Sequence, residues 1–386
     1  MMELRAGVVR QVVGRQGRRI DLLVDIDPGP GDPSSGRAWA FCDLSYEAWF
    51  PGQRVLLNTT AVSLGLGTGG QHVVVAPLDP PPLAGGWATP PASRRHGHIM
   101  KLRYTPVQLA VMAAEEPAGP YHRAVRDAPD LRGLPVAVVS LHSMVGVVAA
   151  ACRWAAGCSP DLKVAYVMTD SAALPAHVSR YLHLLRRARI IGLVITSGQA
   201  FGGDMEAVHP ASALAVAQRA GADVVILGPG PGVVGTATAL GHTCLEAASL
   251  CDLAGALGAA PVLVPRLSLR DARARHRGLS HHDRLAFGRI TARPALLVLP
   301  GSLPGRFRSA VIRQLSRSGL LARHRVVEVD PAPVRPALFR LPVAPESMGR
   351  TPQDDPPFFD ACLSAGRVLA MLWEAASPAA GAGGSS

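Results

Sequence analysis

Ala222-Asp-Val-Val-Ile-Leu-Gly228-Pro-Gly230-Pro-Gly232-Val-Val-Gly235-Thr236 begins as an apolar β-run and breaks into alternating glycine and proline. It then passes through His242-Thr-Cys-Leu-Glu-Ala-Ala248 into an alanine-rich helical pattern. A continuous run of Val, Ile and Leu marks a strand buried on both faces, as in a parallel sheet. Strand, glycine loop and helix in this order often build a ligand site. Amides at the helix start point outward, and the dipole there favours an anion.

Working outward, the same unit recurs. Pro135–Ser140, Lys163–Thr169 and Ile190–Thr196 read as strands, followed by helices at Ser143–Ala156, Val178–Arg187 and Ala211–Ala220. The Ala222–Leu227 strand is followed by a helix over Leu240–Leu257, and Pro261–Val264, Ala295–Leu299 and Arg325–Asp330 complete the set. This alternation predicts an α/β fold: a doubly wound, mostly parallel sheet with helices on both faces. Ahead of it, Leu4–Val13, Arg19–Asp27, Ala38–Leu44, Arg54–Asn58 and Gln71–Ala76 are short β-runs separated by turn signals such as Pro28–Gly36 and Gly65–Gly70. They predict a small N-terminal β-barrel of the OB or SH3-like kind. The expected organisation is a barrel over 1–80, a connector and docking helix over 81–132, the α/β domain over 133–330, and a C-terminal extension over 331–386. Within it, Asp79–Pro91 reads as a semi-extended connector, Val107–Glu116 as a helix, Phe358–Ala375 as a helix, and the Ala-Gly-Ser end as a mobile tail.

The 386 residues suffice for two domains, and the 48% apolar content fits a globular chain. The formal charge of +11 is nearly all arginine, Lys101 and Lys163 being the only lysines. Those arginines are scattered, and aromatics for base stacking are sparse in the barrel (Trp39, Phe41, Tyr46, Trp49, Phe50, beside Arg15, Arg18 and Arg19). Diffuse attraction to anionic metabolites is therefore expected rather than nucleic-acid binding. Six cysteines without a C-x-x-C pair suit a reducing, cytoplasmic compartment, and the N-terminus lacks a signal-peptide core. Leu134–Ala156 is interrupted by Ser140, His142, Ser143 and Arg153, so a strand followed by a helix explains it better than a membrane span.

In open α/β sheets ligands bind beyond the carboxyl ends of the strands. The residues following the strands are Ser140, His142 and Ser143; Thr169, Asp170 and Ser171; Ser197 to Gln199; the Gly228–Gly235 loop with Thr236 and His242; and Arg266 and Ser268 ahead of Arg275-His-Arg-Gly-Leu-Ser-His-His282. The glycine loop is neither Walker A nor a dinucleotide fingerprint, and Pro229 and Pro231 remove two amide donors. Gly228, Gly230, Gly232, Gly235 and Thr236 are nevertheless the expected anion cradle. Arg266, His276, Ser280 and His282 are expected to close over it, and Arg275, Arg277 and His281 are further candidates for the clamp. His142, Asp170, His242 and His281 are the candidate catalytic groups, because imidazole titrates near neutral pH. His142 with Ser140, Ser143 and Asp170 has the residue types of a hydrolytic triad without the glycine elbow. Adjacent His281 and His282 can share a metal only on irregular backbone, and no H-x-x-x-H or H-E-x-x-H spacing is present; no metal ligand set or cofactor is assigned. His96 and His98 beside Lys101 and Arg103 read either as a ligand-facing segment or as a polar linker docked on the sheet.

His96-Gly-His-Ile-Met-Lys-Leu-Arg-Tyr-Thr-Pro106, Gly228–Thr236, His276-Arg-Gly-Leu-Ser-His-His282 and Ser347-Met-Gly-Arg350 occur in this order. Together they resemble a bacterial family catalogued as domain of unknown function 3866, over nearly the full chain. The resemblance implies a bacterial, soluble protein and brings no substrate, cofactor or catalytic residue. The leading expectation is a soluble protein binding a small anionic, perhaps phosphorylated, metabolite, with enzymatic activity left open. The alternatives are a metal-assisted hydrolase using Asp170 and histidines, and a non-catalytic scaffold or regulator whose barrel docks a partner.

Overall fold

The computed structural model describes residues 2–16, 19–28, 36–42, 49–66, 68–79 and 97–376. The connector beyond Asp79, the interior of the Pro28–Gly36 turn, Arg18, Tyr46, His96 and the terminal Ala-Gly-Ser stretch lie outside the described residues. The chain forms two compact units, Met1–Arg95 and His96–Ser386.

In the first unit, β1 (Leu4–Gln16), β2 (Arg19–Ile26), β3 (Gly36–Cys42), β4 (Arg54–Asn58) and β5 (His72–Pro77) close into a barrel in the order β1-β2-β3-β5-β4, with the short helix α1 (Thr60–Ser63) before β5. Alternation along β2 turns Ile20, Leu22, Val24 and Ile26 inward. Register slips at Val9/Gln11 and Val12/Gly14 bend the long β1, as closure requires. β1 pairs with both β2 and β4, and β3 with β5 is parallel, so the topology is of the OB type. Phe41 and Trp49 are buried, and Arg19 lies over Phe41 while pairing with Asp21. These groups serve the barrel's own core and wall.

The second unit opens with a hairpin, β6 (Ile99–Lys101) and β7 (Leu109–Val111), and a short helix α2 (His122–Val125). The chain then runs through β8 (Pro135–Val138), α3 (His142–Ala155), β9 (Val164–Thr169), α4 (Arg180–Arg187), β10 (Leu193–Ser197), β11 (Met205–Ala207), α5 (Pro210–Arg219), β12 (Val224–Pro229) and α6 (Glu246–Ala256). Next come β13 (Ala260–Leu263), β14 (Leu267–Ser268), β15 (Gly278–Leu279), α7 (His281–Leu285), β16 (Leu296–Pro300), α8 (Gly305–Arg317), α9 (Leu320–Arg323), β17 (Arg325–Val329) and α10 (Pro356–Ala376). Eight strands form one parallel sheet in the order β11-β10-β9-β12-β8-β13-β16-β17. The central strands are buried throughout because both faces are covered.

α3, α4 and α10 build the core on one face, and α5, α6 and α8 the core on the other. β9 and β8 send their helices to the first face, whereas β12, lying between them, sends α6 to the second. The carboxyl end of β12 is thus a topological switch point, where a crevice opens by construction. Leu134–Ala156 resolves into β8 and α3, and no helix among the described residues is long and apolar enough to cross a membrane.

Two segments depart from the sequence expectation. Val107–Glu116 is not a helix: Leu109–Val111 pairs antiparallel with Ile99–Lys101, and Ala113 bridges to Glu206. A short apolar run has no intrinsic preference strong enough to resist pairing with a strand placed beside it. The segment 331–376, expected as an extension, belongs to the core: Phe358, Phe359, Cys362, Ala365 and Leu369 of α10 are buried, many against α3.

Candidate functional site

The loop after β12 spends its polar groups on itself. The Thr236 amide donates to Gly241 O at 2.7 Å, the Val234 amide to the Thr243 hydroxyl at 3.2 Å, and Gly235 bridges to His242. Side chains at Gly228 or Gly230 would collide with the Val139 carbonyl or with Met168 and Ala173, so these two glycines permit close packing. Gly232 sits at φ +91° in open space, and Thr236 is exposed and bonded within the loop. The helix start carries an anion of the protein's own. Glu246 is the first residue of α6, and its carboxylate accepts from the Thr169 and Ser171 hydroxyls at 2.6 Å each. Burial raises its pKa. Glu246 thus occupies the helix start where the phosphate cradle was expected.

What the loop does bring is His242, and here two distant segments meet. The β14–β15 hairpin pairs Leu267 with Leu279 and folds His276–His282 back beside the loop. Ser280 caps α7, accepting from the His282 amide at 3.3 Å, while its Oγ lies 2.8 Å from His276 Nδ1. His281 and His282 occupy the first helical positions, about 100° apart around the axis, yet their ring centroids lie 4.3 Å apart, so regular backbone does not separate them as the sequence reading expected. His276 lies 4.8 Å from His281 and 4.9 Å from His282, and His242 stacks on His282 at 3.7 Å. A Cβ on Gly235 would lie 3.6 Å from His282 Nε2, so the glycine loop and the histidine segment share one locale.

The cluster is dry. His276 is 1% exposed and His282 8%. Nε2 of His281 and Nδ1 of His282 are buried without a hydrogen bond, and burial lowers His242 against an opposing effect of the Ala239 carbonyl. Burial pushes His276 down to about 3, assisted by Arg266 and Arg273. Burial, then His242 and Arg275, push His281 to about 4, and burial with the neighbouring imidazoles pushes His282 to about 2. The rings are neutral at physiological pH and offer lone pairs. Cys244, also buried here, has its thiol pushed up to about 12 by burial and donates to Ser140 O at 3.5 Å.

Beneath the cluster lies an ion network. Arg266 is only 4% exposed; its amide donates to Asp283 at 2.5 Å and its guanidinium pairs with Asp271 at 3.3 Å. Asp271 also holds Arg273 and Arg350, and Arg350 reaches Asp355, which accepts from Ser268. Burial works to raise the Asp271 carboxyl, yet these guanidinium bonds hold it well below the usual range. Burial pushes Asp283 up to about 7 against the opposing effect of Arg266. Two arginines of the expected anion clamp thus have partners within the protein. Arg266 is a buried strut, and Arg277 is tied to the Asp271 carbonyl.

Three further arginines lie beside the cluster, Arg284 among them donating to the Arg275 carbonyl at 3.3 Å. A cavity of about 440 Å³ is lined by Arg284, Arg289, Arg317, His281, Gln314 and Ser318, with no carboxylate in its wall. A π-helical turn over Ala286–Ile290 continues α7. An α-helix would set residues five apart about 140° out of line, and the wider turn draws Arg284 and Arg289 toward one side.

Two expected catalytic groups are not part of this cluster. His142 is buried against Tyr166 and Tyr181; its nitrogens meet Tyr166 OH at 3.2 Å and Ser179 Oγ at 2.8 Å, and burial lowers it to about 4. Asp170 is exposed and accepts from the Gln199 amide at 2.8 Å. Glu246, Cys244, Arg284, Arg289 and Arg317 escaped the sequence reading, since nothing in their spacing singles them out. Lys101 is buried against Glu206, docking the β6–β7 hairpin on the sheet. No curated protein matches the chain. A family model described as protein of unknown function (DUF3866) matches residues 37–366, and the chain belongs to that family.

Proposed function

We propose that the protein binds a small, multiply charged anion, such as a phosphorylated metabolite, in the cavity beside the histidine cluster. The observation that carries this reading is the wall itself: Arg284, Arg289, Arg317 and His281 line it with no acidic residue among them. Guanidinium forks match phosphate and carboxylate oxygens, and a concave basic site raises the local anion concentration. Gln314 and Ser318 add neutral donors that orient a bound group. A metal-assisted hydrolase is the second reading, favoured by the imidazole cluster that shares His281 with the same wall. Asp170 has no part in that version, because it lies outside the cluster. Six free thiols, five of them buried, support a reducing, cytoplasmic setting.

Calorimetric titration of the full chain with inorganic phosphate, pyrophosphate and a sugar phosphate tests the proposal. Binding should weaken at least about tenfold in Arg289→Ala/Arg317→Ala and fall steeply with salt. Undiminished binding by that variant, or no binding of any of the three probes by the native chain, overturns it.

A further inference from the structure

We propose that His276, His281 and His282 hold one divalent transition-metal ion, each through one ring nitrogen. One nitrogen from each ring lies within 4.8 Å of the other two. A tetrahedral ion with bonds near 2.05 Å needs nitrogens about 3.4 Å apart, so small ring rotations close the site. The ring planes stand at 55°, 59° and 90° to one another, which lets three in-plane lone pairs aim at a common point.

A rival set, His242, Cys244 and His282, is equally compact. Its geometry argues against it. His242 and His282 are stacked at 3.7 Å with planes 16° apart, so their lone pairs run in parallel sheets. An ion between them would sit far out of both ring planes. Cys244 already donates its thiol hydrogen to the Ser140 carbonyl. His242 is instead a positioning residue that clamps the His282 ring, with Gly235 leaving room for the stack.

The surroundings fit ligation. Ser280 Oγ, fixed by the His282 amide, can accept from Nδ1–H of His276 and so present Nε2 as the lone pair. The buried, unpartnered Nε2 of His281 and Nδ1 of His282 are anomalies in a protein interior, and a bound ion removes them. An all-imidazole set without carboxylates selects Zn2+, Co2+, Ni2+ or Cu2+ over Mg2+ or Ca2+. Three protein ligands leave coordination positions for water and a guest. His281 belongs to both the cluster and the arginine-lined cavity, so an anion held there would meet the ion. The metal site itself does not depend on the anion reading, and it is measured with no anion present.

The test uses the full chain purified without a polyhistidine tag, stripped with chelator and titrated with Co2+. About one equivalent should bind, with visible d–d bands that Zn2+ abolishes. His281→Ala, at a half-buried position, should keep its circular dichroism and weaken binding by about 100-fold or more. Cys244→Ser should leave the spectrum intact. Absence of saturable Co2+ binding by the native chain overturns the site, as does undiminished binding by folded His281→Ala. A thiolate-to-cobalt charge-transfer band lost in Cys244→Ser overturns the donor assignment in favour of the rival set. If His276→Ala or His282→Ala fails to fold, the native titration and His281→Ala still decide.

Discussion

Lys101→Met should be among the most damaging single substitutions in the α/β unit. Lys101 is 0% exposed, and its ammonium donates to Glu206 Oε2 at 2.7 Å, to the Thr196 carbonyl at 3.3 Å and to the Ala200 carbonyl. Burial pulls its pKa down and Glu206 pulls it back up. Methionine keeps the apolar stem but leaves two carbonyls and a carboxylate oxygen without their cation. Breaking one side of a buried pair costs about 3–5 kcal/mol, most of it from the partner left behind. Glu206 retains the Thr196 hydroxyl at 2.7 Å and the Gly202 amide at 2.7 Å, which places the expected loss near the lower end, about 3 kcal/mol. Glu206→Gln should cost a similar amount by stranding the lysine. The double variant should cost less than the sum, with a coupling of about 1.5–3 kcal/mol. Urea unfolding by circular dichroism, with hydrogen exchange at β6 and β7, measures all four corners of the cycle. A Lys101→Met loss below about 1 kcal/mol, or an additive cycle, would refute the view that this pair pins the hairpin to the sheet.

Other outcomes follow from burial and close packing. His142, held near 4 when folded against 6.5 when free, stays neutral while the unfolded chain takes up a proton. Stability should therefore be complete above pH 6.5 and decline toward pH 4, by up to about 3 kcal/mol. His142→Phe should lose that share of the pH dependence in urea midpoints; an unchanged pH profile would count against it. Gly366→Ala places a Cβ 2.5 Å from the Val148 carbonyl and 2.6 Å from the Ala151 methyl, where α10 meets α3. Overpacking of about 1–3 kcal/mol should outweigh the gain in helix propensity of about 1 kcal/mol, lowering the melting temperature. A raised melting temperature would show that the two helices can separate freely there.

Much of the architecture was legible because buried parallel strands and amphipathic helices carry their environment in their own residues. Val224–Leu227, Pro135–Val138 and the alternation along Arg19–Ile26 could hardly be anything else. The switch-point loop after β12 and the histidine segment, singled out by its density, do share one locale. The roles within that edge were less legible. Arg266 reads as a clamp in sequence and is a buried strut, because only the fold sets Asp271 and Asp283 beside it. His142 and Asp170 follow strands as catalytic groups do, yet one is tied to Tyr166 and Ser179 and the other accepts from the Gln199 amide.

The chain's local patterning determines layers, strand positions and the edge where polar groups gather, because hydrophobic period and turn chemistry act over a few residues. Only the tertiary structure decided which imidazoles meet and which arginines line the cavity. That choice depends on pairing between segments dozens of residues apart, on a loop that lays His242 against His282, and on a π turn that draws Arg284 and Arg289 toward one side. Long-range contacts and desolvation set it, and neither leaves a mark in the spacing of the residues involved.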